Sequence, residues 1–398
     1  MNGESKKMTE NAVQAAPEKE KKKKKKFLII LLPFFIIFLV MVIGVAGFVG
    51  YKFSLINIDE ESTTFNLDQE FIEAEDDSFD FGEIDDATGR DFREILKNWA
   101  TNGGEKMKDK EILNILLIGS DASAKDPNRS HVTEKGNTDV MMIVSINPIN
   151  KTIKLVSIMR DSYTYMDKFD RYAKLNAACA NGGPGYLVET IENNFKIKID
   201  GYVMVDFDSF VHVIDVLGGV RVDVPAYVAN YLYDSKNKES FPCGNNVLLN
   251  GVQALKFSRV RYTDANGDIS RVARQRQVIS ALIERCKGAT LAEINAVSDV
   301  ILANVRTNIS RKTILTYAAR AVTDGWPNFA ISQLTMPTPD ARYGYSSRAT
   351  SWIWVVDYPL CAQKLQLELY GETNINLEEN RKTAISVLGG YVSKKETD

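Results

Sequence analysis

Histidine is nearly missing from this 398-residue chain: His131 and His212 are the whole supply. That excludes a histidine-rich zinc site and argues against a histidine-based catalytic triad. His212, inside Phe210-Val211-His212-Val213-Ile214, reads as a partly buried structural residue. Neither a GxxxxGK[ST] loop nor a GxGxxG turn occurs, so nucleotide-dependent transfer has no support. Cysteine is sparse as well. Cys179, Cys243, Cys286 and Cys361 form no CxxC pair, which speaks against metal ligation. One or two disulfides and buried free thiols fit their spacing equally. Between Phe53 and Gly89 there is no Lys or Arg, although Asp and Glu recur.

Positive charge is instead crowded at the start. Lys6, Lys7, Lys19 and the run Lys21 to Lys26 precede an uncharged, almost wholly apolar stretch from Phe27 to Tyr51. As a helix that stretch would run roughly 37 Å at about 1.5 Å per residue, enough to cross the hydrocarbon core. It is too long for the apolar part of a cleaved signal peptide and reads as a retained anchor. Lysines on its N-terminal side predict a cytoplasmic tail (1–26), a transmembrane helix (27–51) and an extracytoplasmic remainder. Residues 52–111 read as an acidic spacer. Within it Asp91 to Ala100 carries Phe92, Ile95, Leu96 and Trp99 at the spacing of a short amphipathic helix.

A folded domain is expected over 112–372, with a tail at 373–398. Ile112 to Gly119 has the length and continuity of a buried strand. Val140 to Ile146 and Thr152 to Ile158, joined by Asn147-Pro148-Ile149-Asn150-Lys151, read as a β-hairpin. Asn193 to Lys198 and Gly201 to Phe207 lead into a strand, Asp208 to Leu217 reads as a helix, and Val220 to Val224 as a strand ended by Pro225. Ala254 to Tyr262 reads as a further strand and Ser270 to Lys287 as a long helix. The mixture predicts an α/β fold with a mixed central sheet flanked by helices.

Charged residues gather at definite points of that framework. A hairpin returns to its starting end, so Asp139 should meet Arg160 and Asp161, with Asp121 joining from the neighbouring strand. Two carboxylates beside an arginine suit Mg²⁺, which takes one or two carboxylates plus phosphate oxygens. Taken singly, each Asp also fits a turn. On a strand, Arg259 and Arg261 would share one face, an arrangement that calls for an anion between them. Arg271, Arg274 and Arg276 fall in the first turns of the long helix, where the helix dipole disfavours cations unless an anion docks there. Arg271, Arg274 and Gln275 can share a face opposite Val272, Ile279 and Ile283.

The stretches NILLIGSD, NTDVMMIVSINP, IKLVSIMRDSY, KLNAACANGG, YVMVDFDSF, VLGGVRVDVP, LNGVQALKFSRVRY and GDISRVARQRQ resemble, in order, the LytR-CpsA-Psr family of cell-envelope proteins. VRTNIS near residue 305 and the later WIWVVD segment resemble its C-terminal part. The resemblance implies a mixed sheet with an apolar tunnel for a polyprenyl chain. It also implies Mg²⁺-dependent phosphotransfer, in which a glycopolymer on undecaprenyl pyrophosphate moves to a peptidoglycan sugar hydroxyl. By matching position, Asp121 and Asp139 correspond to the metal ligands. Arg160, Lys174, Arg259, Arg261, Arg271, Arg274 and Gln275 correspond to pyrophosphate contacts, and Asp161 and Asn176 to pattern positions of less defined role. Val203, Val205, Phe207, Phe210, Val213 and Ile214 are tunnel candidates that also suit ordinary core packing. One departure is Asn137, where the family usually has Arg; Arg129 or Lys135 could stand in. A lipid-pyrophosphate phosphatase and a non-catalytic, regulator-type protein binding the lipid carrier remain alternatives. Nucleic acid is not an expected partner, because the domain is placed outside the cytoplasm.

Overall fold

The computed structural model describes residues 57–58, 86–120, 138–233, 239–261, 263, 267–346 and 352–387. All of them belong to the unit Ile56–Asp398. The lysine-rich tail and the expected membrane segment lie outside the described residues. Among the described residues no helix is long and apolar enough to cross a membrane.

A seven-stranded sheet organises the domain. Its strands are β1 (Asn57–Ile58), β2 (Leu113–Ser120), β3 (Thr138–Asn147), β4 (Thr152–Ile158), β7 (Gly201–Asp206), β10 (Arg306–Thr307) and β11 (Ala330–Met336). They run in the order β1-β10-β7-β2-β3-β4-β11, with parallel and antiparallel pairs mixed. Three two-stranded ribbons accompany the sheet: β5 (Tyr163–Met166) with β6 (Arg171–Lys174), β8 (Val220–Val224) with β9 (Gly244–Leu249), and β12 (Arg342–Ser346) with β13 (Trp352–Val356). The helices are α1 (Asp86–Asn102), α2 (Ala177–Phe195), α3 (Phe207–Val216), α4 (Ala226–Tyr231), α5 (Gly251–Arg259), α6 (Asp268–Lys287), α7 (Leu291–Asn304), α8 (Arg311–Thr323) and α9 (Tyr358–Tyr370).

Alternation along the strands builds a core on each side of the sheet. From β2, Leu116 and Ile118 pack with Leu187 and Ile191 of α2 and Leu365 of α9. Leu113 and Ile115 face the other way, toward Ile279 and Ile283 of α6 and Ile314 of α8. Because both faces are covered, β2 and β3 read as nearly continuous apolar runs. A third cluster joins Ile214, Val220, Val222, Val228, Leu249, Phe257 and Val278 into a lobe made of α3, α4, α5, α6 and the β8–β9 ribbon.

The expected hairpin is present, with Asn147 opposite Thr152 and Lys151 in the left-handed region at φ 52°. Of the strand expected over Ala254–Tyr262, Ala254–Arg259 is helical and Tyr262 lies outside the described residues. Ala254–Arg259 belongs to α5, whose start is set by a capping box in which Asn250 and Gln253 exchange side chain-to-backbone hydrogen bonds. Gly251, Ala254, Phe257 and Ser258 face inward at helical spacing. The chain turns extended only at Val260, which has ψ 132°. Asn193 to Phe195 end α2, and Lys196 closes that helix at φ 52°. All four cysteines are free thiols; Cys179 and Cys361 are buried, Cys243 and Cys286 exposed.

The amphipathic helix expected at Asp91–Ala100 is longer, and it packs into the core through Phe92, Leu96 and Trp99. The Trp99 indole donates to the Asn194 carbonyl at 2.8 Å. The buried Lys196 ammonium donates to the Trp99 and Ala100 carbonyls at 2.8 and 3.4 Å, and lies 5.1 Å from the Trp99 ring centre. Those carbonyls are at the end of α1, where a cation is favoured. Burial nevertheless pushes the Lys196 ammonium down to about 8 from its ordinary 10.5. Between those values the unfolded chain holds more protons than the folded one, so this residue's contribution makes stability rise with pH. The melting temperature of the wild type should therefore gain on that of Lys196→Met from pH 8 to pH 10. A constant gap across that range would show that folding does not displace the proton.

Candidate active site

Asp139 owes its position to an irregularity in the sheet. Gly119 pairs with Val140, and the next residue, Ser120, pairs with Thr138, so Asp139 is the extra residue of a bulge. Bulges re-aim a side chain at a strand end. Gly119 permits the close approach: a Cβ there would lie 2.9 Å from that of Val140.

Four guanidinium groups surround the Asp139 carboxylate. Arg160 Nη1 donates to Oδ1 at 2.8 Å. Arg261 and Arg271 lie 3.5 and 3.8 Å from Oδ1, and Arg259 lies 3.5 Å from Oδ2. Arg259 is the last residue of α5, where the helix dipole favours a cation. Arg261 follows after the extended Val260. These two arginines therefore converge across a helix end rather than along a strand. On α6, Arg274 donates to the Val260 carbonyl at 2.5 Å, and Gln275 to the Asp139 carbonyl at 3.4 Å. Arg276 turns away to Gln333 and Thr335 of β11.

On the other side of Arg160, its Nε lies 3.7 Å from Asp161 Oδ1, and the Lys174 ammonium is also 3.7 Å from that oxygen. Asn176, buried before α2, donates its backbone N–H to the Arg160 carbonyl at 3.2 Å, while its Oδ1 accepts no hydrogen bond among the described residues. The structure thus brings Arg160, Asp161, Lys174, Asn176, Arg259, Arg261, Arg271, Arg274 and Gln275 together around Asp139. Asp121 lies outside the described residues, as do Asn137, Arg129 and Lys135.

Asp268, the first residue of α6, is a further member of the cluster that the sequence did not place there. It lies 2.5 Å from Arg271 Nη2 and 3.9 Å from Arg261 Nε. Its place three residues before Arg271 on one helix was the available signal. Arg271 is only 2% exposed, and burial pushes its guanidinium down to about 10 against the attraction of Asp268. The same burial raises the Asp268 carboxyl above the ordinary aspartate value. Even so, among the described residues cations outnumber carboxylates: Arg160, Lys174, Arg259, Arg261, Arg271 and Arg274 face Asp139, Asp161 and Asp268. Such an excess in a half-dry site attracts an anion.

Beside the cluster opens an apolar cavity of about 300 Å³. Val203 and Val205 of the sheet, Phe207, Phe210 and Val213 of α3, and Leu255 of α5 help to line it. Ile214 does not; it is fully buried in the lobe core. Two residues mark the junction. Phe207 lines the cavity and carries the Arg259 guanidinium 4.6 Å from its ring centre, and Gln275 lines it while bonding to Asp139.

The sequence model of the LytR_cpsA_psr family matches residues 82–363. The chain belongs to that family. This LytR_cpsA_psr member is 32% identical over 313 residues to the polyisoprenyl-teichoic acid--peptidoglycan teichoic acid transferase TagV of Bacillus subtilis (strain 168), spanning 78% of this chain and 71% of TagV. It is 36% identical over 214 residues to TagU, a transferase of the same description from Bacillus anthracis, spanning 53% of this chain and 65% of TagU. Among solved structures, B. subtilis TagV matches with TM-score 0.52 at 31% identity, over 67% of this chain and 100% of that one. TagT bound to LI-WTA matches with TM-score 0.52 at 27% identity, over 67% and 93%.

The Asp268–Arg271 contact makes a stability prediction. Asp268→Ala leaves a buried guanidinium short of its nearest carboxylate and should cost about 3 kcal/mol in chemical denaturation. Adding Arg271→Leu should recover most of that loss, because the desolvated charge goes with it. Additive losses in the double variant would contradict the pairing.

Proposed function

We propose that the protein is a transferase that moves a glycopolymer from a polyprenyl pyrophosphate carrier, of the undecaprenyl type, to a sugar hydroxyl of peptidoglycan. The observation that carries this reading is the junction of the apolar cavity with the arginine cluster at Phe207–Arg259 and Gln275–Asp139. One ligand satisfies both halves: a hydrocarbon tail in the cavity and a doubly charged headgroup among the guanidinium groups. The names borne by TagV and TagU support the same class of donor and acceptor.

In the reaction the acceptor hydroxyl forms a bond to the phosphorus that carries the glycan. The bond from that phosphorus to the bridging oxygen breaks, and the hydroxyl proton passes to the departing lipid monophosphate. Little covalent chemistry is asked of the protein, so positioning and charge neutralisation carry the rate. Arg259 and Arg261, brought in by the end of α5, and Arg271, from the first turn of α6, hold the phosphate oxygens. Fixed by packing, they stabilise charge as it shifts toward the bridging oxygen. Arg274 acts behind them by holding the Val260 carbonyl, and with it the segment between Arg259 and Arg261. Arg160 and Lys174 extend the positive row to Asp161.

Mg²⁺ fits this donor set. Asp139 Oδ2 has Arg259 at 3.5 Å as its ionic partner among the described residues, which leaves a carboxylate oxygen beside the phosphate position. No group of three or more acidic, cysteine or histidine ligands occurs among the described residues, and Mg²⁺ shared with a pyrophosphate needs only one or two carboxylates. When bound, the ion would neutralise phosphate charge and polarise the scissile bond; Asp139, with Asp121, would hold it. The apolar stretch 27–51 behind its lysine run would anchor the chain in the cell membrane, with the domain on the outer side, where both substrates lie.

The test uses the full-length protein in detergent with a lipid-linked pyrophosphoryl oligosaccharide, peptidoglycan fragments and Mg²⁺, read by product mass. Transfer to the fragment is expected, lost on chelation and restored by Mg²⁺. Arg259→Ala, whose side chain is half exposed and removable without opening the core, should slow transfer about a hundredfold. Release of free oligosaccharide phosphate without transfer would identify a phosphatase. Full turnover in both Arg259→Ala and Arg271→Ala would overturn the site.

A further inference from the structure

The β12–β13 ribbon meets the cationic row at Asp161, and none of its described residues lines the cavity. It is joined to the site through the main chain: Trp354 N–H donates to the Asp161 carbonyl at 2.9 Å, and Trp354 bridges to Ser162. Ribbon register places Ile353 and Val355 on the inner face, both fully buried, and Trp352, Trp354, Gly344 and Arg342 on the outer face.

That outer face is built as a platform. Trp352 is 44% exposed and meets Trp354 edge to face, with ring centres 5.4 Å apart and planes at 89°. Its indole lies across Gly344, where any Cβ would overlap the ring. On the other side of Trp354 the Arg342 guanidinium lies 4.9 Å from the ring centre, steadied by the Pro337 carbonyl at 3.0 Å and Met159 Sδ at 3.3 Å. Met159 directly precedes Arg160, so the platform and the cationic row rest on the same stretch of chain. The Trp354 indole N–H, shielded from water, meets no acceptor among the described residues.

We propose that Trp352, Trp354 and Arg342 form a saccharide subsite that seats the sugar rings of the acceptor glycan next to Asp161; this rests on the transferase reading above. A pyranose ring presents an apolar C–H face of about the width of an indole and polar hydroxyls at its rim. The exposed Trp352 indole, held over Gly344, matches the first, and the Arg342 guanidinium matches the second. The location supplies the rest of the argument. The donor's tail and headgroup would occupy the cavity and the arginines, so an attacking hydroxyl must enter from elsewhere, and the ribbon is an aromatic surface joined to the row at Asp161. Its continuity with Asp161 sets a ring bound there beside the reacting phosphate.

Titration calorimetry on the full-length protein in detergent, with chitotetraose as the probe, tests this directly. The wild type should bind, Trp352→Ala should weaken binding about tenfold, and Trp352→Phe should restore part of it. Gly344→Ala, which displaces the indole, should weaken binding as Trp352→Ala does. In transfer assays the loss should fall on the KM of the peptidoglycan fragment rather than that of the lipid-linked donor. Absent binding by the wild type, or equal affinity in wild type and Trp352→Ala, would overturn the subsite. So would a variant that keeps saccharide binding but loses adsorption to phosphatidylglycerol vesicles, since the platform would then belong to the membrane surface. Trp352-dependent binding in a protein that transfers nothing to peptidoglycan would leave the subsite standing and refute the proposed reaction.

Discussion

Everything at this site depends on one electrostatic arrangement: the Asp139 carboxylate gathers guanidinium groups that would otherwise repel one another. Arg160 comes from the end of β4, Arg259 from the end of α5, Arg261 from the extended segment after it, and Arg271 from the first turn of α6. Among the described residues Asp139 alone cannot neutralise them, and Asp268 and Asp161 take up only part of the excess. The cluster is therefore held together and left electron-poor at once, as a receptor for a multiply charged anion requires. Breaking the bulge at Gly119 and Ser120 would move Asp139 and loosen every element that meets there.

Two helices contribute arginines under opposite backbone fields. Arg259 sits at a C-terminus, where the dipole favours positive charge. Arg271 sits near an N-terminus, where it does not, and Asp268 in the same turn offsets the conflict. The cost left over is lowered by whatever anion enters. Stability and binding are coupled here by the same charges, which is a common way for a functional site to depart from the arrangement that would suit folding alone.

Much of the frame was legible from the chain. The unbroken apolar run NILLIG reads as a fully buried strand, and the paired runs about Pro148 as a hairpin returning Asp139 to Arg160; both are present. The arginines near 259 were correctly grouped but given the wrong backbone. LKFSRVRY has the residues of a strand, and the deciding signal lay upstream, in the Asn250–Gln253 box and the Gly251, Ala254, Phe257 spacing. Asp268 escaped because a carboxylate at a helix start already has a local explanation; its pairing with Arg271 requires knowing that both are buried. The bulge that aims Asp139 was out of reach, since it depends on the register between two strands rather than on either one. The edge-to-face pair Trp352–Trp354 was likewise hidden, in a segment read only for its resemblance to the family's C-terminal part.

The place of the cavity beside the cluster carries its own consequence. On the reading proposed above, the cavity would take the part of a long carrier nearest its headgroup. The remainder of such a chain would stay dissolved in the bilayer while its headgroup is handled. Encounter would then be a two-dimensional matter, governed by how many carrier molecules occupy each unit of membrane area rather than by their bulk concentration.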